Sequence, residues 1–279
     1  MTPDASSPEL GGTATVDGVS DRIRVGVNGA GGRMGTLVCN AVHMDTDLEF
    51  VAAVDVPSSA ASIHGVPISA ELRAFAEANC DVVVDFTVAE AARASLPWLA
   101  MHGIHAVVGT TGFTDDDCES LRSAFGVGPA NCLLAPNFAI SAVLMMRFAE
   151  LAAPYFDTAE IIEYHHDRKI DAPSGTAVTT ADRMAAARGD APWGADPTEH
   201  EVYPGSRGGV GPTGIHVHAV RMHGMIAHQD VILGALGQSL TIRQDSYDRE
   251  SFMPGVVLAC KRIADHPGLT IGLDRYLEI

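Results

Sequence analysis

The stretch Gly29-Ala30-Gly31-Gly32-Arg33-Met34-Gly35 decides the fold of this chain because of where it stands. It follows an apolar run, residues 23–27, that predicts a buried strand, and it precedes apolar residues that recur at helical spacing between positions 34 and 42. Glycines without Cβ atoms let the backbone turn sharply, and the N–H groups of a helix N-terminus can hold a phosphate. The stretch therefore predicts a strand–turn–helix unit of a parallel α/β sheet whose turn can hold the pyrophosphate of a dinucleotide.

The spacing of this glycine loop, residues 29–35, fits GxxGxxG (Gly29, Gly32, Gly35) better than GxGxxG. A glycine cluster is also compatible with a tight turn alone, but the place of this one between strand and helix favours cofactor binding. Asp55 follows the next apolar run, where a carboxylate either accepts hydrogen bonds from the adenosine ribose or simply ends the strand in a turn. No arginine follows Asp55 directly, so Arg33 is the cation expected beside a 2′-phosphate.

Short apolar runs and helical stretches alternate along the first half of the chain, which is typical of a parallel sheet covered by helices. The predicted strands are residues 23–27, 50–54, 81–86, 105–109 and 132–135. Ligands of open α/β sheets bind beyond the carboxyl ends of the strands, and two of these ends carry Gly109-Thr110-Thr111-Gly112 and Ala135-Pro136-Asn137-Phe138. We expect both motifs at the nicotinamide end of a cofactor, unless they are ordinary loops. Asp85-Phe86-Thr87 either lines the same crevice or caps a helix.

The pattern changes after residue 136. A helix is predicted at 140–152, a strand at 158–164, a polar loop at 165–174 and a helix at 175–188, followed by a long Gly- and Pro-rich loop to about residue 214. Strands at 215–221, 228–233 and 239–243 read as an antiparallel meander, and an amphipathic helix at 252–263 is expected to return to the first domain. The predicted fold class is α/β. A Rossmann-like parallel-sheet domain spans residues 23–136 and is completed by 246–279, and residues 137–245 form an α+β domain with a mostly antiparallel sheet.

Composition excludes several classes of function. A chain of 279 residues with 47% hydrophobic content can bury a large core, and its formal net charge of −17 would repel nucleic acid and anionic membranes. Five cysteines without CxxC spacing indicate buried free thiols in a reducing compartment, and no apolar run approaches the ~20 residues that span a bilayer. Residues 1–22 lack the features of a secretory signal and are predicted to be a disordered tail. We expect a cytoplasmic protein.

The most specific stretch is Glu163-Tyr164-His165-His166-Asp167-Arg168-Lys169-Ile170-Asp171-Ala172-Pro173-Ser174-Gly175-Thr176. It places two imidazoles and an ammonium in one strand-to-helix connection. Lys169 and Lys261 are the only lysines of the chain, whose other basic residues are arginines. A lysine is a compact, titratable proton donor, whereas a guanidinium stays charged, so position 169 is interpreted as needing that property.

Three interpretations of this loop remain open. Adjacent histidines can ligate a metal, but a third ligand at suitable spacing is missing and the ammonium of Lys169 opposes a cation. The histidines can also be a structural pair. The interpretation that we favour is acid–base chemistry and anion binding, because Gly175 and Thr176 open a helix whose N–H groups can hold a carboxylate.

A second group of histidines, His216, His218, His223 and His228, also suggests a metal site. Spacing by two places His216 and His218 on one face of a strand. Sheet packing or a subunit interface explains that placement better, so no metal is predicted for this chain.

These motifs together carry a resemblance to a known family. From residue 23 to the C-terminus the chain resembles the 4-hydroxy-tetrahydrodipicolinate (dihydrodipicolinate) reductases, with GAGGRMG, VDFT, GTTGF, APNF and EYHHDRKIDAPSGTA in the same order. The resemblance implies that residues 137–245 bind the substrate and form a homotetramer, and that NADH or NADPH serves as cofactor. It also implies a small dicarboxylate substrate and a place in diaminopimelate and lysine biosynthesis.

The resemblance also implies roles for individual residues. The catalytic residues would be His165 as the acid/base and Lys169 as a second proton donor, and the substrate contacts would be His166, Gly175 and Thr176. The cofactor contacts would be Gly29, Ala30, Gly31, Gly32, Arg33, Met34, Asp55, Gly109, Thr110, Thr111, Ala135, Pro136, Asn137 and Phe138. Some members have an acid followed by arginine at the ribose position, so the lack of arginine after Asp55 bears on the use of NADPH.

The implied reaction reduces 4-hydroxy-tetrahydrodipicolinate to tetrahydrodipicolinate with loss of water. Hydride reaches C4 of the cyclic unsaturated imine that forms when the substrate loses water, and a proton reaches C3 of the resulting enamine, for which His165 is the expected donor. The alternatives are another Rossmann-type amino-acid or sugar dehydrogenase and a noncatalytic NAD(H) sensor. Neither alternative accounts for His165 and Lys169 in a loop that ends in Pro-Ser-Gly-Thr.

Overall fold

The computed structural model describes residues 22–56 and 62–279. The tail predicted at residues 1–22 lies outside the described residues except for Arg22. Two sheets, one of eight strands and one of five, organise the described chain. The predicted α/β fold class is confirmed, with one largely parallel and one mostly antiparallel sheet.

The first sheet has its strands in the order β13-β7-β6-β5-β1-β2-β4-β3. All neighbours that pair within it are parallel except the short β3–β4 pair. The strand order reverses beside β1, with β2 on one side and β5 on the other, and a ligand crevice is expected at the carboxyl ends of such strands. The strands are β1 (Ile23–Asn28), β2 (Leu48–Val54), β3 (Ser62–Ile63), β4 (Val66–Ser69), β5 (Val82–Asp85), β6 (His105–Val108), β7 (Cys132–Leu134) and β13 (Leu269–Ile271).

Helices cover both faces of the first sheet, so its central strands are buried apolar runs. On one face Val25 and Val84 pack with residues of the first and last helices, and on the other Val83 and Val108 pack with Phe75 and its neighbours. The last helix contacts the first helix and strands β1, β5 and β6. These helices are α1 (Arg33–Met44), α2 (Arg73–Glu77), α3 (Ala89–Met101), α4 (Asp115–Phe125) and α7 (Met253–Arg262).

The second sheet has the order β12-β11-β8-β10-β9, and two helices pack against one of its faces. Three of its four strand pairs are antiparallel, whereas β8 and β10 are parallel. Its strands are β8 (Thr158–His165), β9 (Gly209–Val210), β10 (His216–Arg221), β11 (Ala227–Ala235) and β12 (Gln238–Ser246), and its helices are α5 (Ile140–Ala152) and α6 (Gly175–Ala187).

The predicted three-stranded meander is wrong in one respect. β11 and β12 form the expected hairpin, but β10 does not pair with β11, because β8 lies between them. Ala159, Ile161 and Glu163 of β8 are all buried, so this strand fills the centre of the sheet and pairs along both edges. The order of the strands along the chain predicts that β10 pairs with β11, but the buried strand β8 lies between them and pairs with both.

The ends of the other predicted elements shift by a few residues, and the helix predicted at 140–152 has the expected bounds. All five cysteines are free thiols, as expected, but the expected burial is wrong for Cys118, which is half-buried in α4. Across the part of the chain that the structure describes, no helix combines the length and the apolar character that crossing a bilayer requires.

Candidate active site

The glycine loop joins β1 to α1 in a conformation that its glycines make possible. Gly29 has a φ of +80°, in the left-handed region that favours glycine, and its N–H donates to the carbonyl oxygen of Val54 at 2.8 Å. A side chain on Gly35 would overlap the carbonyl oxygen of Gly29. Helix α1 begins directly after Gly32, which offers no side-chain cap, so its first N–H groups remain for an anion.

A cavity of about 570 Å³ opens at the carboxyl ends of β1, β2 and β5. Asp55 lies at its edge, and its carboxylate accepts hydrogen bonds from the N–H groups of Gly31 and Val56, each at 2.7 Å. The predicted ribose ligand and the glycine loop are therefore in direct contact. The cavity is lined by Asn28, Gly29, Gly32, Val54, Asp55, Val56, Ala70, Leu72, Phe86, Thr87, Val88, Ala91, Ala94 and Ser95.

Other residues of the glycine loop face elsewhere. Arg33 is exposed and borders a separate surface groove that it shares with Asp248, Arg249 and Glu250. Ala30 is buried, and Met34 packs against the core, so these two residues offer a cofactor their backbone rather than their side chains. The fit of a dinucleotide to this loop rests on its glycines, on the start of α1 and on the adjacent cavity.

Asp85 joins the strand ends around this crevice. Its fully buried carboxylate accepts hydrogen bonds from Asn28 Nδ2 at 2.8 Å, Thr110 Oγ1 at 2.8 Å, Thr87 Oγ1 at 2.7 Å and Ser95 Oγ at 3.1 Å. No side chain caps α3, whose N-cap is the residue after Thr87. Of the two interpretations of Asp85-Phe86-Thr87, the structure therefore favours the lining of the crevice over a helix cap.

The two strand-end motifs lie beside this network. Thr110 is buried, whereas Thr111 and Pro136 are exposed. Gly109 packs against the ring of Phe86 so closely that a Cβ atom would overlap the ring. The N–H of Ala135 donates to Val108 O at 3.0 Å, which holds the second motif next to the first.

Asn137 and Phe138 extend this region toward the second sheet. The ring centroid of Phe138 lies 5.8 Å from that of Phe86. Nδ2 of Asn137 donates to Oγ1 of Thr176 at 3.4 Å, and Oδ1 of Asn137 accepts from the N–H of Ala139 at 2.9 Å. The predicted nicotinamide end of the cofactor site thus contacts the start of α6.

His165 is the last residue of β8 and lines a small cavity between the second sheet, the starts of α5 and α6, and the segment that follows β7. Its side chain is 17% exposed, and Nδ1 lies 2.6 Å from Oε2 of Glu163. Burial lowers the pKa of the His165 imidazole below its usual 6.5, although the carboxylate of Glu163 acts in the opposite direction. The cavity, of about 50 Å³, is lined by Asn137, Ala139, Ala142, His165, Ser174, Thr176, Ala227, His228, Gln229, Gln244, Ser246 and Phe252.

Glu163 is completely buried beneath His165 and forms an ion pair with Arg221. Nη1 and Nη2 of Arg221 lie 2.8 and 2.7 Å from the two carboxylate oxygens. Burial opposes ionisation of Glu163, but the hydrogen bonds from Arg221 and His165 outweigh it and hold the pKa of this carboxyl below its usual value. The carboxyl group of Glu163 is therefore ionised at neutral pH.

The loop after His165 carries Lys169 and His166 next to the cavity rather than in its lining. Nζ of Lys169 contacts both carboxylate oxygens of Asp171, at 2.9 and 2.8 Å. The carbonyl oxygen of His166 accepts from the N–H of Lys169 at 3.1 Å, and Nδ1 of His166 accepts from the N–H of Arg168 at 3.2 Å. The ammonium is already paired with a carboxylate inside its own loop.

The start of α6 offers a site for an anion beside His165. Ser174 is the N-cap, and its Oγ accepts from the N–H of Ala177 at 3.2 Å. A Cβ atom at Gly175 would meet nothing within 4 Å, so the space above the helix start is open. Thr176 lines the cavity, and its hydroxyl contacts Asn137. A carboxylate here would meet backbone N–H groups at the positive end of the helix.

The second group of histidines is divided among separate carboxylates. His216 lies 3.3 Å from Asp196, His218 lies 2.8 Å from Glu160, and Nδ1 of His228 lies 2.7 Å from Asp245. His223 is exposed and lies 3.5 Å from Asp167. Within residues 22–56 and 62–279, no three His, Cys, Asp or Glu side chains come together as a possible metal site.

Several residues at these sites were not predicted from the sequence. His228, Gln229 and Gln244 reach the small cavity from β11 and β12, and Arg221 reaches Glu163 from β10. The sequence analysis singles out His228 only as one of the second group of histidines, and nothing local in the sequence marks the other three residues. Glu163 could have been found, since a residue two positions before His165 on a strand shares its face.

Comparison with known proteins covers nearly the whole described chain. The family described as "Dihydrodipicolinate reductase, N-terminus" matches residues 23–138, and "Dihydrodipicolinate reductase, C-terminus" matches residues 141–277. The 4-hydroxy-tetrahydrodipicolinate reductase of Corynebacterium urealyticum is 51% identical over 259 residues, which cover 92% of this chain and 99% of the relative. That of Mycobacterium ulcerans is 47% identical over 258 residues, covering 92% and 100%.

Solved structures agree with these matches. A dipicolinate-bound dihydrodipicolinate reductase from Paenisporosarcina sp. TG-14 superposes with a TM-score of 0.84 at 38% identity, covering 91% of this chain and 99% of that one. An amine dehydrogenase from Mycobacterium smegmatis, with a TM-score of 0.63 at 14% identity, shares the fold alone. The chain therefore belongs to the dihydrodipicolinate reductase family, the NADH- or NADPH-dependent oxidoreductases of diaminopimelate and lysine biosynthesis.

Proposed function

We propose that this chain reduces 4-hydroxy-2,3,4,5-tetrahydrodipicolinate to 2,3,4,5-tetrahydrodipicolinate, with loss of water, and that His165 supplies the proton. The observation that carries the proposal is the position of His165. It lines one cavity with Thr176 at the start of α6 and with Asn137 at the end of the first sheet. An acid, an anion site and the edge of the cofactor crevice thus meet at one point.

The cofactor site of the proposal follows the carboxyl edge of the first sheet. Backbone groups of the glycine loop would hold the pyrophosphate, and Asp55 would accept hydrogen bonds from the ribose in place of the Gly31 N–H that it binds here. The motifs at 109–111 and 135–138 would hold the nicotinamide end. When bound, the reduced nicotinamide would supply hydride to C4 of the dehydrated substrate, a cyclic imine whose C3=C4 double bond is conjugated with the C=N bond.

The substrate's two carboxylates need local positive groups, because the chain as a whole carries a formal net charge of −17. The open start of α6 at Gly175 and Thr176 offers one site. Lys169 and His166 offer a second, once the substrate replaces Asp171 as the partner of Lys169. Two fixed anion sites would orient the ring of the substrate toward both His165 and the crevice.

Proton transfer is the step that His165 performs in this proposal. Nδ1 is bonded to Glu163, so Nε2 is the ring nitrogen that can serve a substrate in the cavity. Addition of hydride at C4 leaves electron density at C3, and the imidazolium donates its proton there to give the product. General acid catalysis of this kind contributes about 10²–10⁴-fold.

The proposal includes an arrangement of domains and subunits. Residues 23–136 with 246–279 would bind the cofactor, and residues 137–245 would bind the substrate and join four copies into a homotetramer in the cytoplasm. The half-buried Ile162, Tyr164 and Val220 on the face of the second sheet away from its buried residues support an interface there. Light scattering tests the assembly: four times the chain mass of 29.2 kDa is expected.

A coupled assay tests the function. Pyruvate and aspartate semialdehyde are condensed by the preceding synthase, and oxidation of NADH or NADPH is followed after this chain is added. We expect oxidation that depends on the synthase, on both of its substrates and on this chain. No oxidation with either cofactor, by a folded protein that binds NADH, would contradict the proposal.

A further inference from the structure

We propose that Glu163 is a positioning residue for the reaction, and that its ion pair with Arg221 holds both His165 and the loop that carries Lys169. The inference rests on the proposed function in taking His165 as the proton donor. Glu163 itself is completely buried and is absent from the lining of the cavity. It therefore acts through other residues.

The carboxylate of Glu163 is saturated with donors. It accepts from Nδ1 of His165 at 2.6 Å, from Nη1 and Nη2 of Arg221 at 2.8 and 2.7 Å, and from the N–H of Ser174 at 3.1 Å. A carboxylate offers about four acceptor sites, so these contacts use its whole capacity. An ionised carboxylate cannot donate, so the proton of a neutral His165 must lie on Nδ1. The tautomer that leaves Nε2 for the substrate is set by Glu163.

A second branch of contacts runs from Arg221 to Lys169. Nη2 of Arg221 donates to the backbone carbonyl oxygen of Asp171 at 2.7 Å, and the side chain of Asp171 binds the ammonium of Lys169. Ser174, which donates to Glu163, is the N-cap of α6. One buried ion pair thus fixes the start, the middle and the end of the loop at residues 165–174.

The charges around His165 allow the proposal to be tested through the pKa of the His165 imidazole. Glu163, Arg221 and Lys169 act on its imidazole, and His228 of β11, paired with Asp245, lines the same cavity. Removing the charge of Glu163 takes away the carboxylate that stabilises the imidazolium and leaves Arg221 without its ion-pair partner, which lowers the pKa of His165 further. Removing the charge of Arg221 leaves the carboxylate of Glu163 without its ion-pair partner, which raises the pKa of His165. The two changes therefore move the pKa in opposite directions.

The same strand carries a matched control. Glu160 lies three residues before Glu163 on β8, and an odd separation places it on the opposite face of the sheet. It also binds an arginine and a histidine, with Arg207 Nη2 at 2.6 Å and His218 Nε2 at 2.8 Å. Glu160→Gln therefore removes the same chemistry from a triad that does not contact His165.

The experiment compares pH profiles of kcat/KM for the wild type, Glu163→Gln, Arg221→Gln and Glu160→Gln, with solution mass checked for each. Glu163→Gln should lower kcat by about 10- to 100-fold and move the limb that falls with rising pH to lower pH. Arg221→Gln should move that limb to higher pH, and Glu160→Gln should leave it in place. Limbs that stay in place, or move the same way in both variants, would overturn the proposal.

A measurement on the wild type keeps the proposal testable if a variant does not fold. In ¹⁵N spectra of the labelled, ligand-free protein above the pKa of His165, its Nδ1 should carry the proton and its Nε2 should not. A proton on Nε2 would overturn the role of Glu163. An inactive wild type would count against the proposed function, whereas an active wild type with the wrong tautomer would count against this inference alone.

Discussion

Nζ of Lys169 lies 2.8 Å from Oδ2 of Asp171, two residues further along the same loop. The single lysine of the site is therefore neutralised by an internal carboxylate when no substrate is bound. The side chain of Lys169 is only 20% exposed, so its charge is held in place rather than left in solvent. A substrate carboxylate must replace or share this partner, which makes Lys169 an anchor whose contribution can be measured.

Lys169→Ala should raise the KM for substrate and lower kcat, because the ammonium both anchors a carboxylate and stabilises charge near it. A charged hydrogen bond is worth about 1.5–3 kcal/mol, which corresponds to about 10- to 150-fold in kcat/KM. Steady-state kinetics measure the effect. The control is Lys261→Ala, since the other lysine pairs with Asp45 and Asp47 instead. A variant that changed only the affinity for NADH would place Lys169 in the cofactor site.

The pH dependence of the wild type follows from the burial of His165. Burial lowers the pKa of this imidazole below 6.5, so the protonated fraction in the free enzyme falls as pH rises through a value below 6.5. The protonated form is the proposed donor. We therefore expect kcat/KM to decline as pH rises through that value, and a profile of initial rates at low substrate concentration measures it. A decline that begins only well above pH 6.5 would count against His165 as the donor.

Cofactor preference should depend on Asp55 and Arg33 in opposite ways. Asp55→Ala should weaken NADH about tenfold or more through loss of a charged hydrogen bond, and should relieve repulsion of the 2′-phosphate of NADPH. Arg33 borders a separate groove, but its exposed side chain can turn toward a bound 2′-phosphate, so Arg33→Ala should weaken NADPH more than NADH. Dissociation constants for both cofactors in both variants test this. The prediction fails if each substitution affects the two cofactors equally.

Gly35→Ala should disrupt the glycine loop. The added methyl group would overlap the carbonyl oxygen of Gly29, and overpacking of this kind costs about 1–3 kcal/mol of unfolding free energy. Gly128→Ala is the control, since its Cβ would lie 4.0 Å from the nearest atom and an effect within about 0.5 kcal/mol is expected. Chemical denaturation and NADH titration measure both variants. Equal stability and equal NADH affinity would show that the loop can rearrange.

The sequence predicts those parts of the molecule that depend on residue patterns within short stretches of chain. The glycine loop, five of the eight strands of the first sheet and the loop from Glu163 to Thr176 are each predicted from short stretches of sequence, whereas the short strands β3, β4 and β13 are not. The central position of β8 cannot be predicted in this way. Its partners β10 and β11 both come later in the chain, and their order in the sheet depends on which strand is most buried. Local periodicity carries no information on that choice.

The same limit applies to the site. His165 and Lys169 stand together in the sequence, but Arg221 reaches Glu163 across 58 positions of chain through the parallel pairing of β8 and β10. His228, Gln229 and Gln244 reach the cavity only because β11 and β12 lie beside β8. The sequence predicts Asp85 as a strand end, but its four side-chain donors come from several elements that fold around it.

The substitution His165→Gln tests the central claim most directly, with kcat measured in the coupled assay and NADH affinity measured by titration of the same preparation. The side chain of glutamine is polar and cannot act as a general acid at neutral pH. We predict that kcat falls by about 10²–10⁴-fold while the dissociation constant of NADH stays unchanged. His102→Gln, at an exposed position after α3, should match the wild type. Turnover of His165→Gln at the wild-type rate would contradict the account.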